Sequence, residues 1–224
     1  MVCSGKSAQS CYVPNGAARF AEGFCQAHNS VEDTKVTSTP IQWRDAEPDV
    51  RVQELNRLMC LTNWSNAVAF IQNGLAGLSV YLEKESAQAI ESHLASGSAE
   101  LGGLLLGRVF NAPFATASNY PWITLIEKTL PSNEYRNSSV SLRMGTEVWN
   151  RASALLQGGL MIVGWYHSHP NLGVFFSGTD RATQSAFFNH PYALGLVIDP
   201  VRKERKCFFS GVSQELDNTA IAVV

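Results

Sequence analysis

No stretch of this 224-residue chain is long and apolar enough for a membrane-spanning helix. The longest apolar runs, Leu101 to Leu106 and Leu160 to Tyr166, fall far short of the about 20 residues such a helix needs and read as buried strands. A basic surplus is also missing. With 17 Lys and Arg against 19 Asp and Glu, and a net charge of −2, the chain lacks the electrostatic footprint of a nucleic-acid binder. Cysteine is scarce and odd in number: five residues at irregular spacings argue against a disulfide framework and for a reducing compartment, with the cytoplasm as the expectation. No apolar block of signal-peptide length follows Lys6, and no internal repeat is visible. What remains is a composition ordinary for a globular protein, 45% hydrophobic and 16% charged, in a chain long enough for one domain with a real core and a small appendage.

The appendage is expected at residues 1–45, which are rich in Ser, Ala, Gly and Thr and have no sustained hydrophobic period. Two readings stand side by side there. Cys3, Cys11, Cys25 and His28 can close a structural tetrahedral zinc site, Cys25-Gln-Ala-His28 having the close spacing of a zinc knuckle; alternatively the thiols are scattered along a mobile arm. Residues 46–76 follow as a helical connector, with Val52, Leu55, Leu58 and Met59 at helical spacing and a break near Asn63 to Asn66. The main domain is expected over 77–215 and a tail over 216–224.

Within the main domain the pattern alternates between strands and helices. A strand over Leu78–Leu82 leads into a helix with Ser86 as N-cap and Ala87, Ile90 and Leu94 on one face. Glu100-Leu-Gly-Gly-Leu-Leu-Leu-Gly-Arg-Val-Phe110 reads as a strand buried on both faces, Gly102 and Gly103 leaving room for another backbone or a ligand. Trp122–Glu127 is the next strand, and Val140–Arg143 is an expected short edge strand. Thr146 is expected to cap a helix carrying Val148, Trp149, Ala152, Leu155 and Leu156, which feeds the strand Leu160–Tyr166. A helix from Ser177 to about Asn189 and strands over Tyr192–Ile198 and Lys206–Ser210, joined by the turn Asp199-Pro200, complete a mixed α/β domain.

The chemistry converges on Gly164 to Arg181, GWYHSHPNLGVFFSGTDR. On a strand, residues i and i+2 share a face, so His167 and His169 can reach one ion. Pro170 ends the strand and releases a loop that can bring Asp180 back to the pair. Three protein ligands with an open fourth position are what a hydrolytic zinc site requires. The same segment contains Ser177-Gly-Thr-Asp180, which also matches a helix capping box; the two roles are compatible.

His167-x-His169, seven residues, Ser177, two residues, Asp180, together with upstream Glu100-x-Gly102, resembles the JAMM motif of the MPN-plus, or JAB-domain, zinc metalloproteases. The resemblance covers about Leu78 to Val212 and is of the prokaryotic, stand-alone type. It implies a cytidine-deaminase-like fold, with a mixed curved sheet flanked by helices. It further implies Zn2+ held by His167, His169 and Asp180, Glu100 as general base, and Ser177 as donor to the developing oxyanion. The implied substrate is a ubiquitin-like protein or its conjugate, and the implied partners are activating and conjugating enzymes of the same pathway, without nucleic acid or membrane. Two alternatives stay open: a non-catalytic MPN scaffold, and a JAB-type hydrolase of another peptide substrate.

The remaining reactive side chains read as structural. His93 and His190 fit helix-surface or helix-end positions, and Cys60 and Cys207 fit buried, inert thiols, which leaves a cysteine protease without a nucleophile. A zinc deaminase would want His-x-Glu and Pro-Cys-x-x-Cys, and neither occurs. Of Phe175 and Phe176, one is expected in the core and one lining a substrate groove.

Overall fold

The computed structural model describes residues 52–61, 64–115, 120–133 and 145–224. Cys3, Cys11, Cys25 and His28 lie outside the described residues, as does the edge strand expected at 140–143.

Among the described residues helices α1 (Leu55–Leu61) and α2 (Trp64–Leu75) come first, and Trp64 to Asn66, where a break is expected, are already the first turn of α2. They are followed by β1 (Val80–Leu82), α3 (Lys84–Leu94), β2 (Gly102–Asn111) and β3 (Trp122–Pro131), then α4 (Thr146–Leu155), β4 (Met161–Ser168) and α5 (Gly178–Phe187). The chain closes with β5 (Leu194–Asp199), β6 (Glu204–Phe209), β7 (Gln214–Leu216), a single 3-10 turn at Asn218–Ala220, and β8 (Ile221–Val223). Among the described residues, the eight strands join one mixed sheet in the order β7-β6-β5-β4-β2-β3-β1-β8. The β4–β5, β1–β3 and β1–β8 pairs are parallel and the others antiparallel.

The central strands are apolar throughout because both faces of the sheet are covered. One face carries Leu105, Val109, Tyr166, Leu194 and Leu196, packed with Ile90 and Leu94 of α3. The other carries Leu104, Leu106, Trp165 and Val197, packed with Val148 and Ala152 of α4 and with Phe176 and Phe188 around α5. A third cluster joins Leu58 of α1 to Tyr81, Phe110 and Ile123, with Phe70 of α2 beside it, so the helices expected as a connector are built onto the domain.

Three local expectations are corrected. α3 begins at Lys84 with Glu83 in the cap position, so Ser86 is not an N-cap but a buried first-turn residue. Gly145, not Thr146, occupies the cap position of α4. The expected tail at 216–224 is structured: Leu216 and Ala220 are buried in the core, and β8 pairs with β1 at the sheet edge. A three-residue strand is too short to show alternation, and its partner is remote in sequence. Cys207 is buried as expected, whereas Cys60 is exposed on α1. His93 sits in the last turn of α3 with its Nδ1 2.9 Å from Tyr166 Oη, and the His190 ring stacks on Tyr192.

Two features of the central strands position the site. The β2–β4 register shifts between Leu105 and Leu106, a bulge that inserts Val163 and turns Trp165 and His167 toward the face covered by α5. Gly103 carries no side chain because a Cβ there would collide with the Leu130 carbonyl oxygen of β3. Leucine or valine at that position would push β3 away from β2.

Candidate metal centre

His167 is the penultimate residue of β4, and His169 follows that strand by one residue. Asp180 lies in the first turn of α5. All three are buried, and their ligand atoms lie within 4.8 Å of one another. The individual separations are tighter: His167 Nε2 to His169 Nε2 is 3.2 Å, His167 Nε2 to Asp180 Oδ1 is 3.3 Å, and His169 Nε2 to Asp180 Oδ2 is 3.5 Å. A tetrahedral zinc with ligands at about 2.0–2.1 Å has ligand-to-ligand edges of about 3.3–3.4 Å. The two imidazole nitrogens already stand one such edge apart, and the Asp180 carboxylate bridges them, Oδ1 toward His167 and Oδ2 toward His169.

α5 explains how a carboxylate comes to be buried there. Its inward stripe carries Asp180 and Gln184, one turn apart, where a helix ordinarily places apolar residues. Ser177 caps the helix by a reciprocal capping box: its Oγ accepts from Asp180 N at 3.2 Å, and Asp180 Oδ2 accepts from Ser177 N at 2.7 Å. The Ser177 hydroxyl uses a lone pair in that bond, so its proton is available for a further acceptor. Burial works against the Asp180 carboxylate, but hydrogen bonds from His167, His169 and Ser177 outweigh it and hold its pKa far below the usual range.

The two imidazoles are held differently. The His167 ring lies parallel to the Trp165 indole, with centroids 4.4 Å apart. The indole Nε1 in turn donates to Gln184 Oε1 at 2.6 Å, and Gln184 Nε2 donates to the carbonyls of Phe188 and Ala193. His169 instead has its Nδ1 3.3 Å from the Gly173 carbonyl oxygen. Burial dominates at His167 and lowers its pKa, keeping it neutral as a ligand must be. At His169 burial is overcome by Asp180, Glu100 and the Gly173 carbonyl, and the pKa rises.

Glu100 precedes β2 and is half-buried. Gly102 pairs with His167, Leu101 O accepts from Ser168 N at 2.8 Å, and Leu101 N donates to Ser168 Oγ at 3.0 Å. One residue further back, before β2 begins, Glu100 comes close enough to His169 for their charges to interact. Its pKa is raised by burial, with His169 pulling it down and Asp180 pushing it up. It is a carboxylate near the three-ligand group and outside it, which is the placement a proton carrier needs. Phe176 is buried against Trp165 and Phe208, while Phe175 is 48% exposed with its ring 4.9 Å from that of His169, so one phenylalanine fills the core and one faces outward.

Sequence reasoning missed three residues of the site's surroundings: Trp165, Gln184 and Asp199. The Asp199 carboxylate is fully buried and accepts backbone N–H bonds from Asn171, Gly173, Val201 and Arg202. The signal was an aspartate closing an apolar strand, which reads from sequence as a turn residue alone.

Residues 83–209, more than half of the chain, match the family described as prokaryotic homologs of the JAB domain. Among curated relatives, the chain is 34% identical over 114 residues to the "NAD(+) hydrolase TcpA" of Theionarchaea archaeon, covering 50% of this chain and 31% of that protein. It is 28% identical over 153 residues to "COP9 signalosome complex subunit 5" of Candida glabrata, covering 67% of this chain and 31% of the relative. To the protein of the same name from Yarrowia lipolytica it is 28% identical over 184 residues, covering 79% of this chain and 48% of the relative. The chain thus spans less than half the length of each of these relatives. Among the described residues, no helix is long and apolar enough to cross a membrane.

Proposed function

This chain belongs to the prokaryotic homologs of the JAB domain, and we propose that it is a zinc-dependent isopeptidase or peptidase that removes or trims a ubiquitin-like modifier. The observation that carries the reading is the convergence of His167 Nε2, His169 Nε2 and the Asp180 carboxylate, whose two oxygens each face one imidazole, with Glu100 beside it. Zinc bound there supplies a Lewis acid and a water acidified enough to attack a carbonyl near neutral pH.

The chain's own residues do the rest. Glu100 takes a proton from the attacking water and returns it to the leaving amine; its raised pKa suits a group that must both accept and give. Ser177 donates its hydroxyl hydrogen to the oxygen of the tetrahedral intermediate, while its lone pair stays in the α5 cap. Asp180 remains ionised throughout, since its hydrogen-bond partners hold it so. The outward-facing Phe175 offers an apolar surface beside His169 for an extended modifier tail. The substrate class, the activating and conjugating enzymes as partners, and a cytoplasmic setting rest on the resemblance to JAMM metalloproteases.

The test is metal analysis of the full chain alongside cleavage of a ubiquitin-like fusion protein. Wild type should hold one zinc equivalent more than Asp180→Ala, and cleavage should stop on chelation and return with zinc. A second equivalent that survives Asp180→Ala would belong to Cys3, Cys11, Cys25 and His28. A folded, unchelated wild type with no zinc lost on Asp180→Ala would overturn the reading and favour a non-catalytic scaffold.

A further inference from the structure

Asp199 ends β5, and Asn171 to Gly173 lie in the loop between His169 and Asp180. The two segments are joined through the carboxylate. Asn171 N donates to Asp199 Oδ1 at 3.0 Å and Gly173 N donates to Oδ2 at 2.8 Å, while Val201 N and Arg202 N both donate to Oδ1 at 3.0 Å. Two of these bonds close the aspartate's own turn. The other two reach across to a loop 26 and 28 residues distant in sequence, which a turn-capping role does not require. Arg202 adds a further clasp, donating from Nη2 to the Asn171 carbonyl at 3.0 Å, with its Nε 3.6 Å from Asp199 Oδ2.

The loop needs such a clasp. Asn171 and Gly173 both adopt positive φ, at 59° and 86°, a conformation that costs energy for asparagine and is tolerated at glycine only through the lack of a Cβ. Gly173, whose N–H Asp199 holds on one side of its Cα, presents on the other side the carbonyl that faces His169 Nδ1. A hydrogen bond from Nδ1 to a carbonyl selects the tautomer whose Nε2 lone pair is free for a metal.

We infer that Asp199 is a positioning residue for His169: through the Asn171–Gly173 turn it sets the Gly173 carbonyl that orients the imidazole, with Nε2 toward His167 and Asp180. The inference rests on the metal reading of those three residues. Depleting Asp199 of its charge leaves four backbone donors around a poorer acceptor, and the side-chain amide of an asparagine would point a donor at one of them. The buried carboxylate is well matched to its place: burial disfavours its charge, and the four N–H donors overcome that and bring its pKa to about 2.

The experiment measures zinc affinity by competition with a fluorescent chelator for full-length wild type, Asp199→Asn and Val109→Ala, the last a core truncation on the opposite face of the sheet. Asp199→Asn should bind about 10- to 100-fold more weakly, the usual cost of losing an outer-shell partner. Val109→Ala should keep wild-type affinity despite its lower melting temperature. Wild-type affinity in Asp199→Asn overturns the inference and leaves the metal reading intact, whereas absence of zinc from wild type removes both. If Asp199→Asn does not fold, long-range proton–nitrogen NMR of metal-free wild type, with the ring neutral, decides. His169 should carry its proton on Nδ1, with slow solvent exchange; a proton on Nε2 overturns the inference.

Discussion

Gly102 of β2 stands opposite His167 of β4 in the antiparallel ladder, and this one register places the general-base candidate beside the metal-ligand candidates. With Gly102 facing His167, the chain leaving β2 backwards passes Ser168 at Leu101 and reaches His169 at Glu100. A slip of one residue would invert the faces, sending His167 into the α3 side of the sheet and Glu100 away from it. Several consequences are open to measurement.

Replacing Glu100 by Gln keeps the shape of the side chain and removes its ability to take a proton. Zinc content should stay at the wild-type level while kcat falls about 10²- to 10⁴-fold. His167→Ala should lose both. Metal analysis and steady-state kinetics on the same preparations separate the two outcomes, and a Glu100→Gln protein that turns over normally would remove the residue from the mechanism.

Binding a metal to the native state alone stabilises it by mass action, by about 2.7 kcal/mol when the free ion stands at 100 times its Kd. For a domain of this size that is a shift of roughly 5–10 °C. Chelation should lower the melting temperature of wild type by this order, and leave that of Asp180→Ala almost unmoved, in scanning calorimetry.

The contact between Trp165 and His167 offers an optical reporter, since an ion on the imidazole lies next to a stacked indole. Cobalt(II), which takes tetrahedral zinc sites and quenches indole emission, should reduce tryptophan fluorescence in wild type, and the reduction should be largely absent in Trp165→Phe. That variant also strips Gln184 Oε1 of its buried donor, so a loss of about 1–3 kcal/mol in stability should accompany it.

Gly103→Ala should be costly although alanine is small, because the new Cβ meets the Leu130 carbonyl of a neighbouring strand and no flexible side chain can yield. A loss of about 3 kcal/mol is expected by denaturant unfolding. Gly178→Ala, where a Cβ meets nothing, serves as the control and should be near neutral.

Acid stability should report on Asp199. Its carboxyl is ordinarily half-protonated at 3.8 and stands at about 2 in the folded protein. A depressed carboxylate pKa contributes stability that is fully present above the unfolded value and is lost as pH falls through the folded one. The metal-free wild type should therefore lose stability between about pH 4 and 2. Asp199→Asn should show a shallower slope there; equal slopes in urea-melt series would contradict the assignment.

Much of this protein is legible in the residue order because the governing interactions are local. The i, i+2 spacing brings His167, at the end of a strand, and His169, just past it, to one side, Pro170 keeps the chain from continuing that strand, and the Ser177-to-Asp180 spacing sets a helix cap; each depends on neighbours within four residues, where backbone geometry leaves few choices. The apolar runs likewise announce buried central strands. What tertiary structure alone decided involves partners remote in sequence: the β2–β4 register that carries Glu100 to His169, the pairing of β8 with β1 in place of a tail, and the buried side chains of Gln184 and Asp199 that reach 19 and 26 residues to their partners. A polar residue on a helix or at a strand end looks the same in sequence whether it faces water or the interior. Only the packed fold determines which it faces, because burial removes water as the alternative partner and obliges each polar atom to find one within the protein.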